Sequence, residues 1–515
     1  MAITKIHTYT NVGLKWHKIT IEVDSNNALP TIEIIWLPDA AIKESKERIR
    51  GAFRNSNVTL PPKKIVLNLA PSHLKKVWTR FDLALAVWIL KHMYDETMWE
   101  ELHKLFSRWL FFGELWLDGS IKHITGLLPS VISAYKQWRR TFFVPRKTLS
   151  EVTCLPWITI YPLDSFSELV RYIIEWTKIS CVQWNKTSRQ RSDNNTNQWW
   201  FWWVKWHIFV KQALKVAASW MHNVLLVWPP WSWKTMLSKC VHSILPLLTF
   251  SESLETSSMY SLVWWLPWWA SLLKRRPFRA VHHTASKVSI VGGWRMMTPW
   301  EISLAHRGIL FFDELPEFPR EVLEVLRQPL EDKHITISRA SWSVMYPADF
   351  MFIAAMNPCK CGYYWDREKP CSCNLHDIKK YQSKISWPLI DRFDMIIEVH
   401  RESLETILED ASKSSEDQKM SIRTAWNKQK ERYDAYTITM NSQLSSRQID
   451  QFIALDDSTK SFIKNAIKSL WLSPRVMHRL IKVSRTIADM QGVDEIQSSH
   501  IAEALQYRSR QMFVI

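Results

Sequence analysis

Apolar positions along this chain follow two periods, and the change between them outlines its organisation. In the first third, Ile19 to Val23 and Thr31 to Ile35 show alternation or short apolar runs that predict strands, and Lys64 to Leu69 predicts another. Asp39 to Asn55 predicts a helix with Lys43, Glu44, Lys46, Glu47 and Arg48 on its wet face. Phe81 to Leu90 opens a second helix, and Phe142 to Val144 ends a further strand–helix unit. The stretch Asn185 to Gln198 is polar and has no apolar periodicity, which predicts a linker. Beyond it the apolar runs become continuous: Asn223 to Val227, Gly308 to Phe312 and Phe350 to Met356 each suit a strand buried in a parallel sheet. The helix-like stretch Met236 to Leu248 follows the first of them.

Between the last two runs, residues 332 to 347 alternate on both sides of Ala340-Ser341-Trp342, predicting a β-hairpin with Arg339 near its tip. Residues 401 to 440 are polar and charged, as in a solvated helical connector. Residues 445 to 511 are helical, with helix starts at Ser446-Arg447-Gln448 and Ser473-Pro474-Arg475. In this segment Leu480, Val483, Ile487 and Met490 fall at helical spacing and read as core. The pattern divides the chain into an N-terminal domain (1–184), a polar linker (185–199), an α/β domain (200–400) and a C-terminal helical domain (401–515).

The chemistry gathers at the ends of the buried runs. After Val227 comes Trp228-Pro229-Pro230-Trp231-Ser232-Trp233-Lys234-Thr235. Strand, tight loop, Lys-Thr and helix is the layout of a phosphate-binding P-loop. That pattern needs Gly at its first and sixth positions, where backbone amides approach phosphate and some φ angles are positive. Here both positions read Trp, at Trp228 and Trp233. An indole at Trp233 would fill the space of a β-phosphate, so the loop as written holds no nucleotide.

Composition changes this picture. The chain has 31 Trp and only 10 Gly. A usual glycine content of about 7% would give about 36, and Trp and Gly together number 41. The surplus Trp also falls at turn positions: Trp36-Leu37-Pro38-Asp39, Trp264-Trp265-Leu266-Pro267-Trp268-Trp269 and Gly292-Gly293-Trp294. The pattern predicts a gene that uses UGA as a glycine codon and is written here with Trp.

The strand run ending in Asp313-Glu314 places two acids where a nucleotide-binding α/β sheet puts its ligands. Asp313 would hold Mg²⁺ through water, and Glu314 would polarise the attacking water. Asn357, at the end of the third run, can orient that water or sense the γ-phosphate. Two Cys-x-Cys pairs, Cys359/Cys361 and Cys371/Cys373, could form a tetrahedral Zn²⁺ site, although the usual spacing is Cys-x-x-Cys; free thiols are the alternative. In Asp391-Arg392-Phe393-Asp394, Arg392 is either locally paired or offered to a neighbouring subunit's γ-phosphate. Lys333 and Arg339 of the hairpin are candidates for contact with nucleic-acid phosphates, against a solvated hairpin. A net charge of +17 favours a polyanionic partner, DNA or RNA first. Seven Cys do not make a disulfide framework, and no apolar run reaches 18 residues, so a cytoplasmic protein is expected.

At Asp313-Glu314, Asn357, Arg392 and Ser473-Pro474-Arg475 together the chain resembles an AAA+ ATPase of the magnesium-chelatase-like group, in its ComM/YifB family. Further stretches that carry the likeness are Asn68-Leu69-Ala70-Pro71, Arg80-Phe81-Asp82-Leu83, Ala280 to Ser286, Pro299 to Gly308 and Met356-Asn357-Pro358-Cys359. The resemblance implies an AAA+ P-loop core with a parallel sheet between helices and a C-terminal helical lid. It also implies an N-terminal α+β domain similar to the Lon protease domain, of ribosomal S5 domain 2-like fold. Trp78-Thr79-Arg80-Phe81-Asp82 lacks the Ser that a Lon-like Ser–Lys pair would need. By the same likeness, Lys234 binds the β- and γ-phosphates of ATP, Thr235 ligates Mg²⁺, Glu314 is the general base, Asn357 the first sensor, and Arg475 touches the γ-phosphate from the lid. A hexameric ring that hydrolyses ATP and drives DNA branch migration is the implied activity. A chelatase-type motor that remodels a protein or inserts a metal is the alternative, and a nucleotide-dead scaffold follows if the Trp residues are real.

Overall fold

The computed structural model describes residues 4–35, 40–70, 78–94, 106, 108–183, 208–229, 234–266, 271–292, 298–339, 342–366, 369–399, 415–433, 441–444, 446–470 and 474–508. The chain forms two units, one of residues 1–193 with 250–273, the other of 194–249 with 274–515. The first unit holds a four-stranded sheet in the order Thr4–Val12, Lys15–Asn26, Lys64–Ala70, Thr31–Ile35. Its outer pair with Lys64–Ala70 is parallel and the other pairings are antiparallel. Helix Asp82–Met93 is buried along nearly its whole surface, from Leu83 to Leu90, as an all-round apolar helix must be. A second sheet runs Val182–Gln183, Thr159–Leu163, Thr141–Pro145, Trp109–Phe111.

One segment departs from the division expected of the sequence. Helix Phe250–Leu262 belongs with the N-terminal unit and not with the α/β domain assigned to 200–400. Its buried residues mix small hydroxyl side chains, Ser253, Thr256, Ser257, Ser258 and Ser261, with Met259, Tyr260 and Leu262, so no clean apolar stripe announces it. Several of these hydroxyls are bonded locally and across the unit: Ser258 Oγ donates to the Leu254 carbonyl at 2.6 Å and Ser261 Oγ to Glu151 at 2.9 Å, whereas Thr256 Oγ1 is buried without a hydrogen-bond partner among the described residues. Burial pushes the Glu151 carboxyl up to about 7.

The second unit is built on a five-stranded, all-parallel sheet in the order Phe278–Val281, Ile309–Phe312, Met351–Met356, Val224–Val227, Met395–Glu398. The three central strands are buried at every residue, which explains their continuous apolar runs. Helices Ile208–Trp220, Ser415–Tyr433, Asp457–Leu470, Pro474–Met490 and Ser498–Gln506 complete the unit. Leu480, Val483 and Ile487 are buried as their spacing predicts, in one core with Val224, Leu226 and Ile353, and Met490 packs against it. The C-terminal helices therefore share their core with the sheet. Among the described residues no helix is long and apolar enough to cross a membrane.

A buried charge cluster fastens helix Pro474–Met490 to the sheet. Arg479 Nη1 lies 2.5 Å from Asp394 Oδ1, the Asn223 amide donates to Oδ2 at 3.0 Å, and His222 Nδ1 lies 3.3 Å from Oδ2. Burial alone would raise the Asp394 pKa, but the Arg479 charge and the His222 hydrogen bond outweigh it and hold the carboxyl well below the ordinary range. Asp394→Ala leaves these donors and Arg479 uncompensated and is expected to cost about 3–5 kcal/mol, read from urea unfolding. A carboxyl with a depressed folded-state pKa stabilises fully above its unfolded value, about 3.9. The wild type should lose this contribution as pH falls below that value, while the variant's stability changes less over the same range.

The backbone also separates two kinds of Trp. Nine non-glycine residues among those described have positive φ, and four of them are Trp138, Trp157, Trp176 and Trp264. Trp138 follows helix Leu127–Lys136; its amide donates to the Tyr135 carbonyl, and that of Arg139 to Ala134, both at 3.0 Å. Trp264 repeats this arrangement after Phe250–Leu262, with Trp264 donating to Ser261 at 3.4 Å and Trp265 to Tyr260 at 3.0 Å. This is the helix-ending motif whose left-handed residue is most often glycine. After Pro474–Met490 the same motif does carry glycine, Gly492, at φ 78°. The indoles of Trp138 and Trp157 are 85% and 81% exposed. Trp88, in contrast, is buried and donates its Nε1 hydrogen to the Ile21 carbonyl at 3.1 Å. One group of Trp residues occupies glycine-type backbone, with Trp138, Trp157, Trp176 and Trp264 all exposed; the other is integral to the core. Trp36 to Asp39, Pro267 to Trp269 and Trp294 lie outside the described residues.

Candidate nucleotide site

Register brings the sequence-predicted residues to one edge. Val227 pairs with Met356, and Phe312 with Ala354, so the carboxyl ends of three neighbouring parallel strands finish together. Trp228 continues the ladder, its amide donating to the Met356 carbonyl at 3.0 Å. Asp313 and Asn357 emerge half-buried at this edge, and Glu314 is exposed. Helix Lys234–Ile244 begins just after the loop that leaves Val227, which puts a helix N-terminus on the chain's path from the same edge. Such a terminus offers free backbone N–H groups and a partial positive charge to an anion. The sequence expected this helix to run to Leu248; it stops at Ile244, ahead of Pro246. Trp228 is buried and Pro229 half-buried; Pro230, Trp231, Ser232, Trp233 and the side chains of Lys234 and Thr235 lie outside the described residues.

Glu314 has φ 53°, in the left-handed region, and its amide donates to Asp313 Oδ1 at 3.0 Å. Backbone strain of this kind, held by surrounding structure, aims a side chain away from the strand's own direction. His283 Nδ1 lies 3.3 Å from Glu314 Oε2. His283 follows strand Phe278–Val281, next to Ile309–Phe312 in the sheet, and so reaches the acid from the adjacent strand end. Sequence reasoning missed it as a site residue, although the His282-His283 pair could have signalled it. Close backbone packing holds the base of the Asp313-Glu314 strand: a Cβ at Gly308 would meet the Pro277 carbonyl at 2.0 Å, so only glycine fits.

The arginines fall differently. Arg475 is exposed in the first turn of helix Pro474–Met490. Arg392 is buried: Nε donates to the Arg327 carbonyl at 3.2 Å, Nη1 to the Pro388 carbonyl, and Nη2 lies 2.5 Å from Glu331 Oε1. Its ion-pair partner comes from a neighbouring helix rather than from the adjacent acids in sequence. To reach another subunit the guanidinium must first exchange these three partners. The hairpin forms as expected, with His334–Arg339 paired to Trp342–Pro347 and Arg339 opposite Trp342 next to the turn; the Arg339 side chain lies outside the described residues. Lys333 sits at the hairpin's base, where Nζ is 3.3 Å from Asp349 Oδ1, and not near its tip. The four cysteines Cys359, Cys361, Cys371 and Cys373 come together, their Sγ atoms all within 4.8 Å of one another.

Comparison with known proteins finds family matches along the chain. Residues 203–407 match the family described as magnesium chelatase, subunit ChlI; residues 21–148 match subunit ChlI of Mg-chelatase, and residues 412–508 the ChlI C-terminal family. The chain is 34% identical to the competence protein ComM of Haemophilus influenzae, over 99% of this chain and 98% of ComM. It is 33% identical to the uncharacterised protein YifB of Escherichia coli and to that of Salmonella typhimurium, over 99% of this chain and 97% of each. With a parallel sheet that gathers an acidic pair, an Asn and a helix start at one edge, and likeness along its whole length, this chain belongs to the magnesium-chelatase-like AAA+ family that includes ComM and YifB.

Proposed function

We propose that this protein binds ATP with Mg²⁺ at the sheet edge, hydrolyses it, and uses the energy to move DNA, as a hexameric ring that promotes branch migration of recombining strands in the cytoplasm. The observation that carries the reading is the convergence of Trp228, Asp313, Glu314 and Asn357 at the carboxyl ends of neighbouring parallel strands. In it, Lys234 binds the β- and γ-phosphates, Thr235 and Asp313 hold Mg²⁺, Glu314 activates the attacking water and Asn357 positions it. Arg392 acts in trans and Arg475 from the lid. The reading takes glycine as the residue the cell places at Trp228, Trp231 and Trp233. It is supported by the glycine-type backbone of Trp138 and Trp264. The N-terminal unit serves as a Lon-protease-like domain without a peptidase dyad. Full-length likeness to a protein named for competence and a net charge of +17 favour DNA as the partner.

Arg339 tests the coupling to DNA. Its hairpin, a separate two-stranded sheet, lies along the chain between the strand ending at Asp313 and the strand ending at Asn357. A guanidinium near the tip can meet backbone phosphates without reading bases. Arg339→Ala should leave basal ATP hydrolysis nearly intact and lose most of its stimulation by DNA. DNA binding should weaken alike for all sequences, and the slope of log affinity against log salt should fall by about one. Stimulation that survives the change, or an effect confined to one sequence, removes the hairpin as the DNA-gripping element and favours the chelatase-type motor.

A further inference from the structure

The nucleotide reading leaves Cys359, Cys361, Cys371 and Cys373 without a task, and they are the most concentrated group of potential metal ligands among the described residues. The loop that carries them leaves strand Met351–Met356 through Asn357 and returns at helix Leu375–Gln382. Its sulfurs are close without being bonded: Cys359 to Cys361 is 3.3 Å, Cys361 to Cys371 3.4 Å, and Cys359 to Cys371 3.7 Å. Four thiolates at a zinc–sulfur distance of about 2.3 Å in a tetrahedron would stand about 3.8 Å apart. Backbone amides already point at these sulfurs. Gly362 donates to Cys359 Sγ at 3.2 Å and Cys373 to Cys371 Sγ at 3.4 Å, and the Tyr363 and Ser372 amides serve Cys361. Such donors stabilise sulfur as the anion that ligates metal. The short Cys-x-Cys spacing is accommodated because Gly362 turns the chain at φ 83° directly after Cys361.

We propose that these four thiolates hold one zinc-class divalent cation in a closed tetrahedral site, and that this site fastens the loop that begins at Asn357. Four protein ligands leave no open position for substrate, so the ion is structural. Its coupling to Asn357 follows from the chain: Cys359 is two residues on, and Gln382 Nε2 anchors the intervening Pro358 carbonyl at 3.0 Å. The ion would add four strong cross-links to a loop that is otherwise held, among the described residues, by the Pro358 anchor, local turns such as the Gly362 amide on the Cys359 carbonyl at 3.1 Å, and weak S–H contacts. The first half of the proposal stands on the thiols alone; the second rests on Asn357 as the γ-phosphate sensor.

Metal analysis of the full chain, purified without a His-tag under reducing conditions, should find about one zinc per chain. Cys373→Ser should lose it. Cys361→His, which supplies another zinc ligand, should retain most of it, and cobalt loaded in place of zinc should give the visible absorption of tetrahedral thiolate coordination. A folded wild type with less than about a tenth of an equivalent of zinc, and no cobalt spectrum, overturns the site. For the role, in the glycine-bearing protein, removal of zinc by a chelator, with Mg²⁺ restored, should lower ATP hydrolysis at least tenfold while fluorescent-nucleotide binding persists. Unchanged hydrolysis after complete removal overturns the fastening role and leaves the metal site standing. Absence of hydrolysis in the zinc-loaded protein strikes the ATPase reading instead.

Discussion

The triple change Trp228→Gly, Trp231→Gly, Trp233→Gly should tighten ATP binding at least about 100-fold, or about 2.8 kcal/mol, relative to the chain as written. The loop that leaves strand Val224–Val227 leads within six residues to helix Lys234–Ile244. A loop that short can embrace phosphates only with its backbone. Each amide–phosphate hydrogen bond of this charged kind contributes about 1.5–3 kcal/mol, and indoles at positions one, four and six would occupy the space in which several form. The contrast between Trp138 and Gly492, two residues in the same helix-ending backbone, supports glycine as the intended residue. Titration of both chains with a fluorescent ATP analogue and Mg²⁺ measures the difference. Equal affinity would end the steric argument. The gene itself gives an independent reading: UGA at these positions, and glycine in the mass of the corresponding native peptides, is the expected result, whereas UGG throughout would make the Trp residues genuine and the site inactive.

In the glycine-bearing protein, Glu314→Gln is expected to lower ATP turnover about 100- to 10,000-fold, the usual contribution of a positioned general base, with nucleotide affinity changed by only a few-fold. The two effects separate because Glu314 stands exposed beyond Asp313, turned out by its left-handed backbone, with His283 as its partner. In the proposed role such a carboxylate takes a proton from water and does not hold phosphate. Glutamine keeps the size and a hydrogen-bond acceptor but cannot accept that proton. Steady-state hydrolysis and nucleotide binding on the same preparation read both quantities. Binding lost together with turnover would transfer Glu314 from base to ligand, and turnover kept would place the base elsewhere, with His283, 3.3 Å from Glu314, the first candidate to test.

Much of this was legible in the sequence because it rests on local pattern. Continuous apolar runs ending in Asp313-Glu314 and in Asn357 announced buried parallel strands with polar ends, and all three central strands are buried throughout. Helical spacing identified Leu480, Val483 and Ile487 as core, and the alternation around 340 announced the hairpin, while its register, with Trp342 in the strand opposite Arg339, came from the fold. Composition alone raised the glycine question, since 31 Trp against 10 Gly is visible before any fold. Other features needed the folded chain, because they depend on contacts between residues far apart in sequence. Helix Phe250–Leu262 joins the N-terminal unit through a mixed face of hydroxyl groups and scattered apolar residues that no regular hydrophobic pattern marks. Arg392 turns inward onto Glu331 and two carbonyls, and Lys333 onto Asp349, where sequence could offer only charges of unknown direction. His283 reaches Glu314 because two strands separated by almost thirty residues lie side by side in parallel register. Sequence gave the cysteines an imperfect spacing; folding decided that four sulfurs stand within 4.8 Å, since a positive-φ glycine and a row of backbone amides close the loop around them.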